Sequence, residues 1–345
     1  PRIVALGESD FQLARDPAAR AARIPSVAFG AARASLAAGW PVLVQVPRGG
    51  YVPALACQRC RAPARCRRCA GPLGLSQEGR LPDVERPEGV LPGGGGGGAE
   101  ARSPTCRWCG VADTAYRCGV CGSRRLRAIV VGAKRTAEEL GRAFADVPVV
   151  GSGAREVLSE VEDRAALVVA TPGAEPVTRG GYGAALLLDG WALLGRADLR
   201  AAEEAVRRWM AAAAMVRPGH DGGRVVVLAE SALAPVQALV RWDPVWHARQ
   251  ELAARQELGF PPAVRMASVD GAADALATFL DELELPPSGE VLGPVPLGDR
   301  ERALVRASRT EGRALAAALA TVQHVRTARK EPDPIRVRLD PLELI

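Results

Sequence analysis

Four Cys-x-x-Cys pairs are the residues of this 345-residue sequence whose types and spacing most clearly indicate metal binding or redox chemistry. They use all eight cysteines, at Cys57/Cys60, Cys66/Cys69, Cys106/Cys109 and Cys118/Cys121. A Cys-x-x-Cys turn presents two thiolates to one ion, and two such turns complete a tetrahedral zinc site. Disulfide frameworks are typical of short secreted chains, and this long chain shows no export signal. The pattern therefore predicts two structural zinc ions, in preference to an iron–sulfur cluster or redox dithiols.

The spacing of the four pairs favours one assignment of the eight cysteines to two zinc ions without excluding the other assignment. Five residues separate Cys60 from Cys66, so a site built from the first two pairs would leave little chain for a zinc hairpin. A nested arrangement is easier, with Cys57, Cys60, Cys118 and Cys121 on one ion and Cys66, Cys69, Cys106 and Cys109 on the other. Gly110 and Gly122 follow second cysteines, where the turn commonly needs a left-handed residue.

Arginines crowd the first two cysteine pairs, at Arg59, Arg61, Arg65, Arg67 and Arg68. Their mutual repulsion would be relieved by a phosphate backbone, because each phosphate contact pairs one positive charge with a negative one. The chain as a whole has a formal net charge of +6, which also suits a polyanionic partner. These five arginines are therefore the candidate DNA-binding residues, while an acidic protein partner or a solvated surface remain alternatives. No catalytic residue is assigned.

The cysteine pairs define a zinc-binding module over residues 56–125. Within it, residues 85–104 hold six consecutive glycines and scattered prolines, a composition that cannot bury a core and predicts a disordered loop. No predicted strand leads into the glycines and no helix follows them, so a phosphate-binding role is not expected.

Apolar strands that alternate with helices surround this module. The run "PVLVQV" (41–46) precedes the first cysteine and "RAIVVG" (127–132) follows the last. A helix with a Thr136/Glu139 capping box comes next, followed by strands near 148–152, 166–171, 184–189 and 224–229 and by a long helix near 197–214. This alternation predicts a parallel sheet with helices on both faces, formed by residues 1–55 and 126–230.

The last third of the chain predicts a smaller α+β unit. A helical connector over 231–262 ends at "LGFPP", and residues 263–345 then read strand, helix, two strands, helix and strand. That order is typical of a ferredoxin-like domain. The sequence contains neither a run of eighteen apolar residues nor an N-terminal leader, so we expect a cytoplasmic protein without a membrane span. Because the chain begins at Pro1, we also expect it to be a piece of a longer protein.

Several stretches together resemble the PriA family, the primosomal protein N′ family of replication-restart helicases. They are "VLVQVPRGGYVPALACQRCRAPARCRRC" (42–69), the four cysteine pairs, "LGFPP" (258–262), "VLGPVP" (291–296) and "VRLDPLE" (337–343). The resemblance covers essentially the whole chain and implies the C-terminal half of such a protein. It implies a RecA-like helicase lobe 2 with an inserted module that binds two zinc ions in the nested pairing. It also implies binding to branched DNA, ATP-driven unwinding, and the loading of the replicative helicase together with other primosome proteins and single-stranded DNA-binding protein.

Two helicase motifs depart from the family pattern. Where the family has a Q-V-A-G-R-A-G-R run, this chain reads "AAAAMVRP", which places Met215 and Pro218 at the two arginine positions and leaves Arg217 one place out of register. The preceding motif, G-T-Q-M-x-x-K-G in the family, reads "ATPGAEPVTRGG" here. Loss of one arginine finger lowers phosphoryl-transfer rates by about 10³ to 10⁵. We therefore expect that the ATPase has been lost.

The leading hypothesis is a PriA-like, zinc-containing protein that binds forked or single-stranded DNA and helps assemble the restart machinery without unwinding DNA itself. One alternative is an active ATP-dependent 3′–5′ helicase whose missing half compensates for the altered motifs. The other is a zinc-containing scaffold that recruits primosome partners and has little affinity for DNA.

Overall fold

The computed structural model describes residues 1–6, 24–47, 54–59, 64–68, 73–74, 104–106, 111–129, 132–153, 156–196 and 198–342. Within them the chain divides into two compact units, Pro1–Pro244 and Val245–Ile345. The predicted disordered loop at 85–104 lies outside the described residues except for its last position. None of the helices in the described part of the chain combines the length and apolarity needed to cross a lipid bilayer.

The first unit is built on a six-stranded parallel sheet. Its strands are β1 (Arg2–Ala5), β2 (Val42–Gln45), β7 (Val149–Ser152), β8 (Leu167–Ala170), β9 (Ala184–Leu187) and β10 (Arg224–Val227). They lie side by side in the order β1-β10-β9-β2-β8-β7. The central strands β2, β8 and β9 are buried throughout, which explains their continuous apolar runs.

Helices cover both faces of this sheet, as predicted from the alternating pattern. They are α1 (Ser26–Ala37), α2 (Ala133–Ala143), α3 (Gly190–Leu194), α4 (Ala201–Ala214) and α5 (Ala234–Arg241). One core joins the sheet to α4 and α5 through Trp209 and Val236, both fully buried. A second core on the other face includes Ala28 of α1 and Leu140 of α2. The two cores fix the sheet as a rigid support for the segments at its edges.

Three local predictions in this unit need correction. Helix α2 begins at Ala133 with Gly132 as its N-cap, so Thr136 lies inside the helix, where its hydroxyl donates to the Gly132 carbonyl at 3.1 Å. The long helix near 197–214 begins at Ala201 and is preceded by the short α3. The strand predicted at 127–132 forms as β6 (Leu126–Ile129), but it pairs outside the parallel sheet.

A separate small antiparallel sheet carries the cysteine-rich segment. It consists of β3 (Ala54–Cys57), β4 (Leu73–Gly74), β5 (Thr105–Cys106) and β6, in the order β5-β4-β3-β6. Strands β3 and β6 pair over four residues, from Ala54 opposite Ile129 to Cys57 opposite Leu126. The segment therefore starts and ends on two neighbouring strands.

The second unit has the predicted β-α-β-β-α-β order. After helix α6 (Pro244–Leu258) come β11 (Val264–Gly271), α7 (Ala273–Asp281), β12 (Glu290–Leu297), β13 (Arg300–Ser308), α8 (Gly312–Ala328) and β14 (Arg336–Leu339). The sheet is antiparallel, in the order β12-β13-β11-β14. Its core joins Val269 and Val305 to Phe279 of α7 and Leu319 of α8. The segment predicted as one connector is divided, because α5 packs into the first unit and α6 belongs to the second.

Candidate metal centre and nucleic-acid interface

Three cysteines from two distant segments meet at the end of the β3–β6 pair. The sulfur atoms of Cys57, Cys118 and Cys121 all lie within 4.8 Å of one another. Cys57 and Cys118 are buried, and Cys121 is half-buried. The Cys57 and Cys121 sulfurs are 3.5 Å apart, close to the roughly 3.8 Å edge of a tetrahedron of Zn–S bonds about 2.3 Å long. The donor set and its spacing therefore fit a thiolate-bound zinc ion.

The turn at Cys118–Cys121 has the backbone of a metal-binding knuckle. The Cys118 N–H donates to the Ser123 carbonyl and the Gly122 N–H to the Cys118 carbonyl, both at 2.9 Å. Gly122 has a φ of +70°, the left-handed conformation expected for the residue after the second cysteine. On the facing segment, the Gln58 N–H donates to the Arg125 carbonyl at 2.9 Å and holds the two turns together.

Of the second predicted ligand set, Cys66 and Cys106 lie in the described part of the chain, and both are buried. The Arg68 N–H points at the Cys66 sulfur at 3.4 Å, and the Cys106 N–H donates to the Val111 carbonyl at 2.9 Å. Both sulfurs belong to the same apolar cluster as the first set. Cys60, Cys69 and Cys109, which would complete the two sets, lie outside the described residues, as does Gly110.

Sequence reasoning missed Tyr116 as part of this centre. Its side chain is only 7% exposed and packs in the cluster that contains Leu55, Leu73 and the described cysteines. The available signal was an aromatic residue two positions before a cysteine pair, in a segment otherwise rich in polar residues. Tyr116 adds a large apolar side chain to the core of a small sheet.

The predicted DNA-binding arginines separate into two groups. Arg59, Arg65 and Arg68 are exposed. Arg67 is also partly exposed, but its guanidinium donates to the Ala115 carbonyl and lies 3.8 Å from the Asp113 carboxylate. Arg67 thus ties the 64–68 segment to the segment before Cys118, while Arg61 lies outside the described residues.

The stretch "AAAAMVRP" (211–218) is held by contacts within the first unit. Met215 packs against the core, and its carbonyl accepts from the Tyr182 N–H at 2.9 Å. Arg217 lies over the Trp40 ring, with its guanidinium carbon 3.6 Å from the ring centroid, and donates to the Gly180 carbonyl at 2.9 Å. The one arginine of this stretch therefore already has an aromatic and a carbonyl partner.

The stretch "ATPGAEPVTRGG" (170–181) is also held by internal hydrogen bonds. It follows β8 at Thr171, and the Glu175 carboxylate accepts from the Gln45 amide at 2.6 Å and from the Gly173 N–H at 2.8 Å. The Glu175 carboxylate thus links this segment to Gln45 at the end of β2.

Comparison with known proteins supports the resemblance stated from the sequence. Residues 256–342 match the family model described as the primosomal protein N C-terminal domain. Proteins named "Probable replication restart protein PriA" align with all of this chain, at 53% identity in Mycobacterium leprae and 50% in Mycobacterium bovis and Mycobacterium tuberculosis. The chain spans about half the length of these relatives, 52% in each case. The alignment covers the chain from end to end, so over its whole length the chain is similar to proteins named replication restart protein PriA.

Proposed function

We propose that this chain acts in replication restart by binding DNA at stalled or branched forks and helping to assemble the restart machinery, without unwinding DNA itself. The restart role is supported by relatives that bear the name replication restart protein and align with the entire chain. The parallel-sheet unit would be a RecA-like lobe 2, and the cysteine-rich sheet would be a double-zinc module inserted into it. Primosome and helicase-loading proteins, and single-stranded DNA-binding protein, are the proposed partners.

The position of Arg217 supports the proposal that this chain does not unwind DNA. An arginine finger must be free to reach a nucleotide phosphate, yet this guanidinium lies on Trp40 and donates to Gly180. Met215, which stands at the first of the two arginine positions, packs against the core. Neither of these two described residues is therefore proposed to contact ATP.

Zinc has a structural role in the proposal. Cys57, Cys60, Cys118 and Cys121 would bind one ion and Cys66, Cys69, Cys106 and Cys109 the other. The close approach of three sulfurs supports the first set, and the burial of Cys66 and Cys106 supports the second. Four thiolates leave no open coordination position, so each ion would fix the fold of the module. The exposed Arg59, Arg65 and Arg68 would then project from a rigid support toward phosphates, together with Arg61.

The proposal is tested by measuring ATP hydrolysis and fork-DNA binding on the full-length protein. We expect tight binding to a forked oligonucleotide and no hydrolysis above the level seen without DNA. Fork-stimulated hydrolysis that changes in lobe 2 abolish would overturn the non-helicase function in favour of an active helicase. Absence of fork binding would favour the protein-interaction scaffold instead.

Binding by the module is tested separately with Arg65→Ala/Arg68→Ala. Because both side chains are exposed, zinc content should not change. Affinity for forked and linear duplex DNA should fall alike, and the slope of log K against log salt should flatten by roughly 0.9 for each phosphate that the variant no longer neutralises. Unchanged affinity and slope would mean that these arginines serve a protein partner or solubility.

A further inference from the structure

Strand β7, at one edge of the parallel sheet, is open on its outer side. It ends the spatial order of the sheet and pairs only with β8 among the described strands. The carbonyls of Pro148 and Ser152 accept from N–H groups of β8. Because backbone groups alternate in direction along a strand, those of Val149 and Gly151 point away from β8. The edge therefore presents two N–H and two C=O groups to an additional strand.

The connection from β7 to β8 leaves one face of this edge without a helix. Parallel neighbours are usually joined by a helix that covers the sheet. None of the described residues of this connection, 153 and 156–166, is helical. The opposite face is covered, since Val149 packs in the same core as Leu140 of α2. The face beside the β7–β8 connection is therefore the one that helical packing leaves open.

A cavity of about 590 Å³ lies between the strands and this connection. Pro148, Val150 and Ala166 line it from the strands, and Val161 lines it from the connection. The Val161 N–H donates to the carbonyl of Val177 at 2.9 Å, and the Val177 side chain is more than half exposed. The cavity thus has an apolar floor that reaches the open edge at Val150.

The rim of the cavity is charged. Three carboxylates and two guanidinium groups line it, from Glu160, Glu162, Asp163, Arg164 and Arg179. Two ion pairs join four of them, Glu160 to Arg179 at 3.1 Å and Glu162 to Arg164 at 2.8 Å. Ion pairs between exposed side chains contribute little to stability, so these carboxylates can exchange their partners for those of a bound molecule.

Asp163 is the fixed acceptor of this rim. The Thr178 hydroxyl and the Gly180 N–H both donate to its carboxylate, the latter at 3.0 Å. These hydrogen bonds, with that from Thr178 first, lower the pKa of Asp163, and the positive charges of Arg179 and Arg217 lower it further. Asp163 therefore stays ionised at neutral pH.

Two more carboxylates flank the edge strand. Asp146 precedes β7 and Glu156 follows it, and both are exposed. Neither takes part in an ion pair within the described part of the chain. Five carboxylates at the cavity and at the ends of β7 thus face the three arginines Arg164, Arg179 and Arg217, in a chain whose net charge is +6. This local excess of negative charge repels a phosphate backbone and favours a basic partner.

We infer that β7 binds an extended, basic peptide segment of a partner protein by strand addition. The added strand pairs with the outward backbone groups of Val149 and Gly151, and its alternate side chains lie beside Val150 over the cavity. Lysine or arginine suits these positions, because the aliphatic stem packs on the apolar floor while the charge reaches Glu160 or Asp163. The inference goes beyond the proposed function, since it concerns a protein partner and uses no residue of the cysteine-rich module.

The test is an anisotropy titration of a fluorescent octapeptide of alternating lysine and valine with the zinc-loaded chain, which should bind it saturably. Gly151→Pro removes an outward N–H and leaves the ladder to β8 intact. It should weaken binding roughly tenfold, because a hydrogen bond is lost and the ring occupies the place of the added strand. Gly151→Ala is the matched control. It keeps the N–H, its Cβ meets open space, and it should bind the peptide like the unmodified chain.

A second pair of variants tests the charge. Asp146→Lys/Glu156→Lys should weaken peptide binding several-fold and reduce its dependence on salt, since fewer attractive charges remain. Glu257→Lys/Asp299→Lys makes the same change in net charge at two exposed carboxylates of the second unit and should leave binding unchanged.

Equal affinities of Gly151→Pro and Gly151→Ala would overturn strand addition, as would the absence of saturable binding to the unmodified chain. Equal binding of a glutamate–valine octapeptide, or an equal loss in both charge variants, would overturn the basic specificity. Amide hydrogen exchange at single residues is an independent readout, because exchange at Val149 and Gly151 should slow when the peptide binds. Unchanged exchange at both would contradict the inference.

Circular dichroism melting shows whether each variant is folded. If Gly151→Pro is not, the charge variants and the exchange measurement decide. Fork-DNA binding by Asp146→Lys/Glu156→Lys should be no weaker than that of the unmodified chain, so failure of this surface and failure of the proposed function are separate results.

Discussion

The sulfur atoms of Cys57 and Cys121 lie 3.5 Å apart, although 64 positions separate the two residues in the chain. The pairing of β3 with β6 produces this approach, because it sets Cys57 opposite Leu126, a few residues beyond Cys121. A site built from consecutive pairs would instead join Cys57 to Cys66 and Cys69. The geometry at Cys57 is the one that the nested arrangement requires.

Removal of one cysteine should therefore release one zinc ion and leave the other. Native mass spectrometry of the unmodified chain should find two zinc ions, and Cys121→Ser should retain one, because the second set uses other ligands. Cys66→Ser is the matched variant and should also retain one. A count of zero or one zinc ion in the unmodified chain, with all cysteines reduced, would contradict the double site.

Arg67 should behave differently from its exposed neighbours. Its guanidinium donates to Ala115 and approaches Asp113, so Arg67→Ala removes a link within the module. We expect faster zinc release to a chromogenic chelator, by a few-fold, because removing a hydrogen bond of a charged group costs about 1.5–3 kcal/mol when buried and less when exposed. Arg68→Ala is the control and should leave the release rate unchanged. Equal rates for Arg67→Ala and the unmodified chain would show that the link does not stabilise the module.

Arg217 should contribute to stability. Arg217→Ala removes the cation over the Trp40 ring and the hydrogen bond to Gly180, and we expect the free energy of unfolding to fall by about 1–2 kcal/mol. Arg217→Lys keeps the charge over the ring and should reduce the free energy of unfolding by less. Urea denaturation monitored by tryptophan fluorescence measures both. A loss of ATP hydrolysis in the full-length protein on Arg217→Ala, without a change in stability, would show a catalytic role.

The Asp270–Arg302 pair should give the chain a defined pH dependence. Since the folded-state pKa of Asp270 is lowered, its ionised form stabilises the fold above the unfolded-state pKa of about 3.9, and this contribution is lost as the pH falls through the lower folded-state value. Asp270→Asn should lower the free energy of unfolding by about 3 kcal/mol near pH 7, because it leaves the Arg302 charge buried without its partner.

The loss in the free energy of unfolding caused by Asp270→Asn should be constant above about pH 5 and should become smaller below about pH 4. Urea unfolding followed by circular dichroism at each pH measures it. Asp299→Asn, in the exposed turn between β12 and β13, is the control and should cost little at any pH. A cost that does not change with pH would mean that the carboxylate charge is not what stabilises the sheet.

Much of the fold could be predicted because its signals are local. The buried runs of β2, β8 and β9 and the strand and helix periods of the second unit are each visible within ten residues or so. Helix ends were less well predicted. Thr136 and Glu139 match a capping box in sequence, but Gly132 begins the helix one turn earlier.

The errors and omissions concern contacts between distant residues. Nothing in the sequence of "RAIVVG" distinguishes a strand of the parallel sheet from a partner of β3. The position of Arg217 on Trp40 joins two segments that are far apart in the chain, and the burial of Tyr116 depends on four short strands meeting. The cysteine spacing favoured the nested arrangement without excluding consecutive pairs, and the approach of Cys57 to Cys118 and Cys121 is consistent with the nested one.

The pairing of β3 with β6 places the two ends of the cysteine-rich segment side by side. This affects how the chain unfolds and how the segment could be exchanged. Because the cysteine-rich segment begins on β3 and ends on the neighbouring strand β6, a short linker could replace it without disturbing the order of the parallel strands. We expect a chelator to melt the proposed zinc module in a separate transition at lower temperature, while the larger sheet stays intact. Such an attachment also makes the module an exchangeable part, which can be removed, replaced or lengthened while its host unit keeps its fold.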